Sequence, residues 1–280
     1  VTLTVDLNTY SVSITFQNGG YTFTAQNADE FPMAQPVGDG ATTITIPSGI
    51  LADNISRTLF ATANEEIRPV MNGLYFDLNQ EALAIVASDG HKLVRNKILS
   101  FILPKKPATL LKNALPHDDT PVEIRFDNLN AEVTFAAGNL KCRLIEGRYP
   151  NYNSVIPTDN PCQMTIDRRA LLGSVKRILP FASESSQSIR LRLGVGQVEA
   201  SSEDIDFATS AKETIVCDYN GTPMSIGFKS PSLVEILSSL TSDEVLMELA
   251  DPSRPCLIFP SEQPEGQNIL MLIMPMLLND

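Results

Sequence analysis

The 280-residue chain has room for roughly two domains of ordinary size, and with 43% hydrophobic residues it can bury real cores, which excludes a compositionally disordered protein. It contains no run of about 18 apolar residues that could cross a membrane, since the stretch Ile269 to Pro275 is too short and Pro275 interrupts it. The net charge of −12 is unlike that of a phosphate-binding protein and by itself suggests only a solubilising surface, so any nucleic-acid contact depends on where the few basic residues sit.

The chain opens on three alternating segments, Val1 to Val5, Ser11 to Phe16 and Tyr21 to Thr24, which read as strands. No basic stretch followed by an apolar core precedes them, so no secretory signal is visible. A start at Val1 instead of Met is what a fragment or a processed product would have. Next, Thr45 to Leu59 matches Thr165 to Leu179 at an offset of 120. Each copy reads as a strand end followed by an amphipathic helix, with Leu171, Leu172, Val175, Ile178 and Leu179 on one face of the second. Asp167 suits the N-cap of that helix, and Pro47 suits the first turn of its counterpart.

Alternating runs follow both helices. Leu74 to Leu78 corresponds to Ile189 to Leu193, and Ile85 to Ser88 corresponds to Val198 to Ser201. Their period of two predicts half-buried antiparallel strands. A second helix follows in each copy, introduced by Phe101 to Pro104 and by Phe228 to Pro231, with apolar centres at Leu110-Leu111 and at Leu233, Val234, Ile236 and Leu237. The copies also end alike: Phe31-Pro32, Tyr149-Pro150 and Met274-Pro275 lie 118 and 125 residues apart. The first of these endings has strands before it but no first helix. Three repeats of about 120 residues would need about 360, so roughly 80 are expected to be missing from the front. The pattern predicts one partial and two complete α+β modules. Cys142, Cys162, Cys217 and Cys256 are widely spaced with no CxxC pair, which fits a reducing compartment better than a zinc site or a disulfide framework.

Two internal stretches and the tail carry a family resemblance. Ala87-Ser88-Asp89-Gly90-His91-Lys92-Leu93 resembles the A-[TS]-D-G-H-[RK]-L signature of the bacterial DNA sliding clamps, the β subunits of DNA polymerase III. Leu144 to Pro157, containing Glu146-Gly147-Arg148-Tyr149-Pro150, is similar to that family's I-[DE]-G-R-[FY]-P-x-Y-x-x-V-[IL]-P segment. Met274-Pro275-Met276-Leu277-Leu278 is similar to its M-P-M-R-L terminus. All three occur in the family's order and spacing, and the similarity runs through the whole chain.

The resemblance implies a DNA clamp fold, in which antiparallel sheets form an outer wall and two helices per module line a central channel. Residues 1–40 would be the C-terminal part of domain 1, 41–157 domain 2 and 158–280 domain 3. It implies a ring of two subunits, head to tail when full length, that encircles double-stranded DNA without reading its sequence and uses no cofactor. The implied partners are the replicative polymerase catalytic subunit, the clamp loader, repair polymerases and mismatch-repair proteins, and the implied location is the cytoplasm. Carried over by motif, the partner-peptide pocket comprises Met71, Ser88, Gly90, His91, Lys92, Leu93, Pro150, Val155, Leu272, Met274, Pro275 and Met276. Methionine and leucine walls adapt to varied apolar anchors, and Gly90 permits a sharp turn. Ring closure would use Tyr21 and Phe23 against a patch near Leu179, Pro180 and Phe181. The chain departs from the family at Leu277, where Arg is frequent, and at Ser154, where a basic residue is frequent, and Asn279-Asp280 extend past the usual end.

This setting also accounts for the charge. Arg169, Lys176 and Arg177 project opposite the apolar face of their helix, Arg57 occupies the matching place in the earlier copy, and Lys105, Lys106 and Lys112 mark the next helix. Phosphate contact without base contact is what sequence-blind sliding needs, although any amphipathic helix shows charge on its outer face. Against an enzyme, the chain has only His91 and His117, and it lacks G-x-S-x-G, P-loop and HExxH motifs. The competing classes are a hydrolase or transferase with an unrecognised site and a β-rich carbohydrate- or protein-binding module.

Overall fold

The structure, a computed structural model, describes all residues except Pro32, 79–82, His91, 96–99 and 279–280, and describes 92–95 by backbone alone. The chain divides into two compact units, Val1–Pro36 and Val37–Asp280. In the first, β1 (Thr2–Asp6), β2 (Ser11–Phe16) and β3 (Gly19–Thr24) form an antiparallel sheet in that order. Val12 is its one buried side chain among the described residues.

The second unit holds the repeat. Its first copy runs β4 (Thr42–Pro47), α1 (Ser48–Leu59), β5 (Gly73–Leu78), β6 (Leu83–Ser88), β7 (Lys92–Arg95), β8 (Phe101–Pro104), α2 (Lys105–Ala114), β9 (Pro121–Phe126), β10 (Asn130–Phe135) and β11 (Gly138–Arg143). The same order recurs as β12 (Cys162–Asp167), α3 (Arg168–Ile178), β13 (Ser188–Gly194), β14 (Gln197–Asp204), β15 (Thr209–Tyr219), β16 (Met224–Lys229), α4 (Ser230–Ser239), β17 (Glu244–Leu249), β18 (Cys256–Pro260) and β19 (Leu270–Ile273). Strands β11-β10-β9-β4 form one sheet, and β16-β13-β14-β15-β12-β17-β18-β19-β7-β6-β5-β8 form another. The second sheet is continuous between the copies because β19 pairs antiparallel with β7, setting Leu272 opposite Leu93 and Ile273 opposite Lys92.

Helix α3 forms where the periodicity places it. The Asp167 carboxylate accepts a hydrogen bond from the Ala170 amide at 2.7 Å, satisfying a donor of the first turn. Leu171, Val175 and Ile178 are fully buried beneath it. Helices α1 and α2 pack together, as do α3 and α4, and their apolar faces share one large core with the sheets. Within that core Phe101 stacks on Phe76 at 4.5 Å and tilts against Phe126 at 4.3 Å.

Several sequence expectations need correcting. Leu110 is 53% exposed, so Leu111 alone supplies the apolar centre of α2 at that pair, because consecutive helical residues point about 100° apart. Leu172 is only half-buried for the same reason. Pro47 caps α1 from outside instead of entering its first turn, and the Ser48 hydroxyl donates to the Pro116 carbonyl at 2.7 Å.

Candidate partner-binding and DNA-facing surfaces

Strands at the junction of the two copies are apolar on both faces. Leu74, Phe76, Ile85, Ala87, Leu103, Ile258, Met271 and Ile273 face the helices. Their neighbours Ala84, Val86, Ile102, Leu257, Leu270 and Leu272 point the other way and build a second cluster with Tyr149 and Tyr152. An alternation in which both phases are apolar needs a cover on each side of the sheet. On the outer side the cover is the chain from Leu144 to Val155.

That segment is held by specific contacts. The Tyr149 ring stacks on Tyr75 with centroids 4.6 Å apart, and Tyr152 meets Tyr75 edge-on at 6.3 Å. The Tyr152 hydroxyl donates to the Asp77 carboxylate at 2.6 Å. Gly147 has φ +135°, and a Cβ there would lie 2.6 Å from a methyl of Val70, so both backbone and space exclude a side chain. The Tyr149 hydroxyl is buried with no hydrogen-bond partner among the described residues. Burial pushes its pKa well above the ordinary phenol value, so it stays protonated.

Most of the residues expected in the pocket surround this platform. Ser88, Leu93 and Leu272 sit opposite one another on the neighbouring strands β6, β7 and β19. The Gly90 amide donates to the Ser88 hydroxyl at 3.1 Å, and Gly90 turns at φ +91° beside the Arg68 guanidinium. Met71 is buried directly after Val70, which packs on the cluster. Pro150 and Val155 are exposed on the covering segment, and Met274 emerges from the end of β19 with 37% of its surface open. Leu272, by contrast, lies beneath the surface as part of the floor. Lys92 lies on β7, but its side chain, like that of Leu93, is outside the described atoms, and His91 lies outside the described residues altogether.

The tail then turns away from the platform. The Met276 amide donates to the Gly227 carbonyl at 2.8 Å, so Pro275 leads the chain from β19 to the edge of β16. An open, polar groove of about 1030 Å³ runs along β13, β14 and β15 and reaches Ser225 of β16, and among the described residues Met276 is the only expected pocket residue that lines it. Sequence reasoning missed Tyr75, Val86, Ile102 and Phe259, which build the floor, Tyr152 in its cover, and Arg68 at its rim. The signal for the floor was present in Leu74-Tyr75-Phe76 and Ile85-Val86-Ala87, runs that are apolar in both phases.

The basic residues separate by their partners. Lys105, Lys106 and Lys112 on α2 and Arg169 and Lys176 on α3 are exposed. Arg169 has only a loose contact of 3.6 Å with Asp243, both well exposed. Arg177 is exposed as well, but its guanidinium is clamped by Glu213 at 2.7 and 2.6 Å. This pair, helped by the Ser174 hydroxyl, holds the Glu213 carboxyl down at about 2. The expectation for Arg57 fails. It is only 9% exposed, its guanidinium donates to the Gln267 side chain at 2.9 Å, and it pairs with Asp53 at 3.5 Å. A loop of the second copy covers its position, so it does not project like the cations of α2 and α3. Tyr21 and Phe23 lie exposed on β3, Leu179 is half-buried, and Phe181 is exposed in a 3-10 turn after α3.

The four cysteines are free thiols. Burial raises the pKa of Cys142 to about 11 and pushes that of Cys256 up as well, which leaves both as inert packing groups.

Comparison with known proteins gives consistent results. The pattern described as "DNA polymerase III beta subunit, central domain" matches residues 45–151, and "DNA polymerase III beta subunit, C-terminal domain" matches 153–277. The chain is 28% identical over 258 residues to a beta sliding clamp of Caulobacter vibrioides, covering 87% of this chain and 68% of that protein. To the beta sliding clamp of Haemophilus influenzae it is 28% identical over 266 residues, covering 92% and 71%. Among solved structures, a sliding clamp from Bartonella birtlesii bound to griselimycin superposes with a TM-score of 0.88 at 25% identity, over 99% of this chain and 76% of that one. A sliding clamp from Bacillus subtilis superposes with a TM-score of 0.87 at 24% identity, over 99% and 74%, a likeness of fold.

Proposed function

The chain belongs to the DNA polymerase III beta subunit family, the bacterial sliding clamps, and on that premise we propose how its surfaces divide the work of a clamp. A sliding clamp has no catalysis of its own. It confers processivity by enclosing duplex DNA, which separates retention from binding strength, so its channel wall need attract the duplex only mildly. In this chain we assign that wall to Lys105, Lys106 and Lys112 of α2 and Arg169 and Lys176 of α3. Their contacts would be with phosphate and hence blind to sequence. Arg177 contributes less because Glu213 already neutralises it, and Arg57 is left out. The acidic remainder of the surface would discourage DNA from binding outside the channel.

The second surface is the docking site. The single observation that carries it is the two-faced apolar sheet where β7 and β19 join, covered by the Gly147 to Val155 segment and flanked by the Gly90 turn and Met274. Short extended peptides with apolar anchors would seat there, from the replicative polymerase, the clamp loader, and repair polymerases and mismatch-repair proteins. A few buried side chains can supply most of the affinity of such a peptide. Ser154, where a basic residue is frequent in the family, would make the rim less cationic and favour the apolar part of a ligand over its acidic flank, while Leu277, where Arg is frequent, lies along the separate groove of the tail. Residues 41–157 and 158–280 act as clamp domains 2 and 3, and residues 1–40 as the end of domain 1. The assembly would be a head-to-tail dimer at work in the cytoplasm. No described helix is long and apolar enough to cross a membrane.

The test is fluorescence anisotropy with a labelled peptide of the Gln-x-x-Leu-Phe kind. Binding on the order of micromolar is expected, and Leu93→Ala combined with Met274→Ala should abolish it. A folded wild type that ignores the peptide, or a double variant that binds as well as wild type, would refute the site.

A further inference from the structure

Tyr149 and Tyr152 both bring their rings to Tyr75 from the covering segment, but their hydroxyls fare differently. The Tyr152 hydroxyl donates to the Asp77 carboxylate at 2.6 Å. The Tyr149 hydroxyl, on a residue only 6% exposed, has no hydrogen-bond partner among the described residues. A buried phenol usually finds a partner, and one without it costs free energy in the folded state. Packing does not call for the group. The Tyr149 ring lies 4.6 Å from Tyr75 at an interplanar angle of 1°, a contact between ring faces that phenylalanine would make as well.

The surroundings of the hydroxyl show which half of a hydrogen bond is missing. The Ser88 main-chain amide lies close to the phenol oxygen, and the Asp89 charge is near enough to oppose its ionisation. An amide N–H can only donate, so even a close approach by Ser88 leaves the phenol proton without an acceptor. The Asp89 carboxylate does not take it either. Ser88, Asp89 and Gly90 form the turn that flanks the docking platform, so the idle donor lies at the edge of that site and not in the core beneath the helices. Gly90 holds the turn at φ +91°, where glycine keeps a backbone freedom that other residues lack.

We propose that the Tyr149 hydroxyl is a concealed hydrogen-bond donor of the docking site, and that its acceptor is a main-chain carbonyl of the docked peptide, which reaches it by displacing the Ser88–Gly90 turn. The inference rests on the docking reading given above and adds one polar contact to an otherwise apolar site. A main-chain carbonyl suits a site that receives several partners, because every extended peptide presents one whatever its side chains. The unmet donor destabilises the free protein, and binding removes that penalty, so the hydroxyl favours the complex without favouring the fold.

Tyr149→Phe removes the hydroxyl and keeps the ring, with Tyr152→Phe as the stability control. Tyr149→Phe should melt at or above the wild-type temperature, whereas Tyr152→Phe, which takes a donor away from the Asp77 carboxylate, should melt lower. In the anisotropy titration with the labelled Gln-x-x-Leu-Phe peptide, Tyr149→Phe should bind about three- to tenfold more weakly, the loss expected of one hydrogen bond. Peptides in which single main-chain amides are replaced by esters, whose carbonyls accept more weakly, locate the acceptor. At one position the ester should weaken binding to wild type and leave binding to Tyr149→Phe nearly unaffected. If Tyr149→Phe melts clearly below wild type, the hydroxyl is already satisfied in the free protein and the proposal fails. It fails as well if Tyr149→Phe binds like wild type, or if no ester distinguishes the two proteins. Provided that Leu93→Ala combined with Met274→Ala still abolishes binding, the docking site then stands without this contact. A wild type that ignores the peptide overturns the docking reading and the concealed donor together.

Discussion

Arg57 and Arg177 occupy the same position of two repeated helices, yet their guanidinium groups are engaged in different ways. Arg57 reaches Gln267, 210 residues away, while Arg177 stays within its own copy and binds Glu213. Substituting Arg57 with Gln should leave the salt dependence of DNA retention unchanged but lower stability by about 1–3 kcal/mol, because buried polar groups lose their partner; urea denaturation measures this. Lys176→Gln should do the reverse, leaving stability intact while reducing the log–log salt slope of DNA binding by about 1. The Arg177–Glu213 pair makes a pH prediction. Its carboxyl titrates near 2 instead of 4.5, so the stabilisation is fully present above about 4.5 and is lost as pH falls toward 2. The gap in melting temperature between wild type and Arg177→Gln should be constant at neutral pH and close across that window. Both side chains face solvent, so the gap will be small. A gap that persists at pH 2 would show that the arginine acts through packing instead.

At the scale of elements, the segment from Leu144 to Val155 has no regular hydrogen-bonded ladder of its own and depends on what it covers. Gly147 is its hinge point, with φ +135° and Val70 in the space of a side chain. Gly147→Ala should cost about 1–3 kcal/mol, as expected for a residue forced into a sparsely populated backbone region. It should also weaken the docking peptide, because Tyr149 and Pro150 follow directly. An alanine variant with wild-type stability and wild-type peptide affinity would mean that the segment is dispensable to the site. Helices α2 and α3 each begin with two basic residues, Lys105-Lys106 and Arg168-Arg169, at the end where the helix dipole disfavours positive charge. Arg168 is accounted for by its bonds to the carbonyls of Ser242 at 2.6 Å and Leu237 at 3.1 Å. Among the described residues the exposed Lys105 and Lys106 have no comparable bond and Arg169 has only its loose contact with Asp243, which fits the proposal that these cations meet phosphate.

At the scale of the whole molecule, enclosure explains how a chain of net charge −12 can serve DNA. On the assignment proposed above, affinity for phosphate would be confined to a few side chains on two helices, and retention would be left to topology. Loaded onto a nicked circular plasmid, the assembled clamp should co-elute with the DNA in gel filtration, and cutting the circle once should release it. Equal retention on circular and linear DNA would mean that it binds by affinity and does not encircle. The continuous sheet from β16 to β8 joins the two copies, so the docking platform proposed at their junction would need no closing motion to form.

The sequence by itself determined the repeat, the positions of the helices and the three motifs, because each rests on short-range periodicity or on residues adjacent in the chain. Leu171, Val175 and Ile178 could be placed in the core from spacing alone, and Asp167 could be placed as a cap from its position before them. The tertiary structure decided which basic residues are free: Arg57 and Lys176 both lie on amphipathic helices, and only a loop far along the chain distinguishes them. It also decided the docking floor. Tyr75, Val86 and Ile102 read locally as ordinary strand residues, and whether their outer face meets water or protein depends on β19 crossing to β7 and on Tyr149 and Tyr152 folding over them. Local pattern sets which face of an element is apolar, whereas burial and charge pairing depend on partners brought together only when distant segments pack.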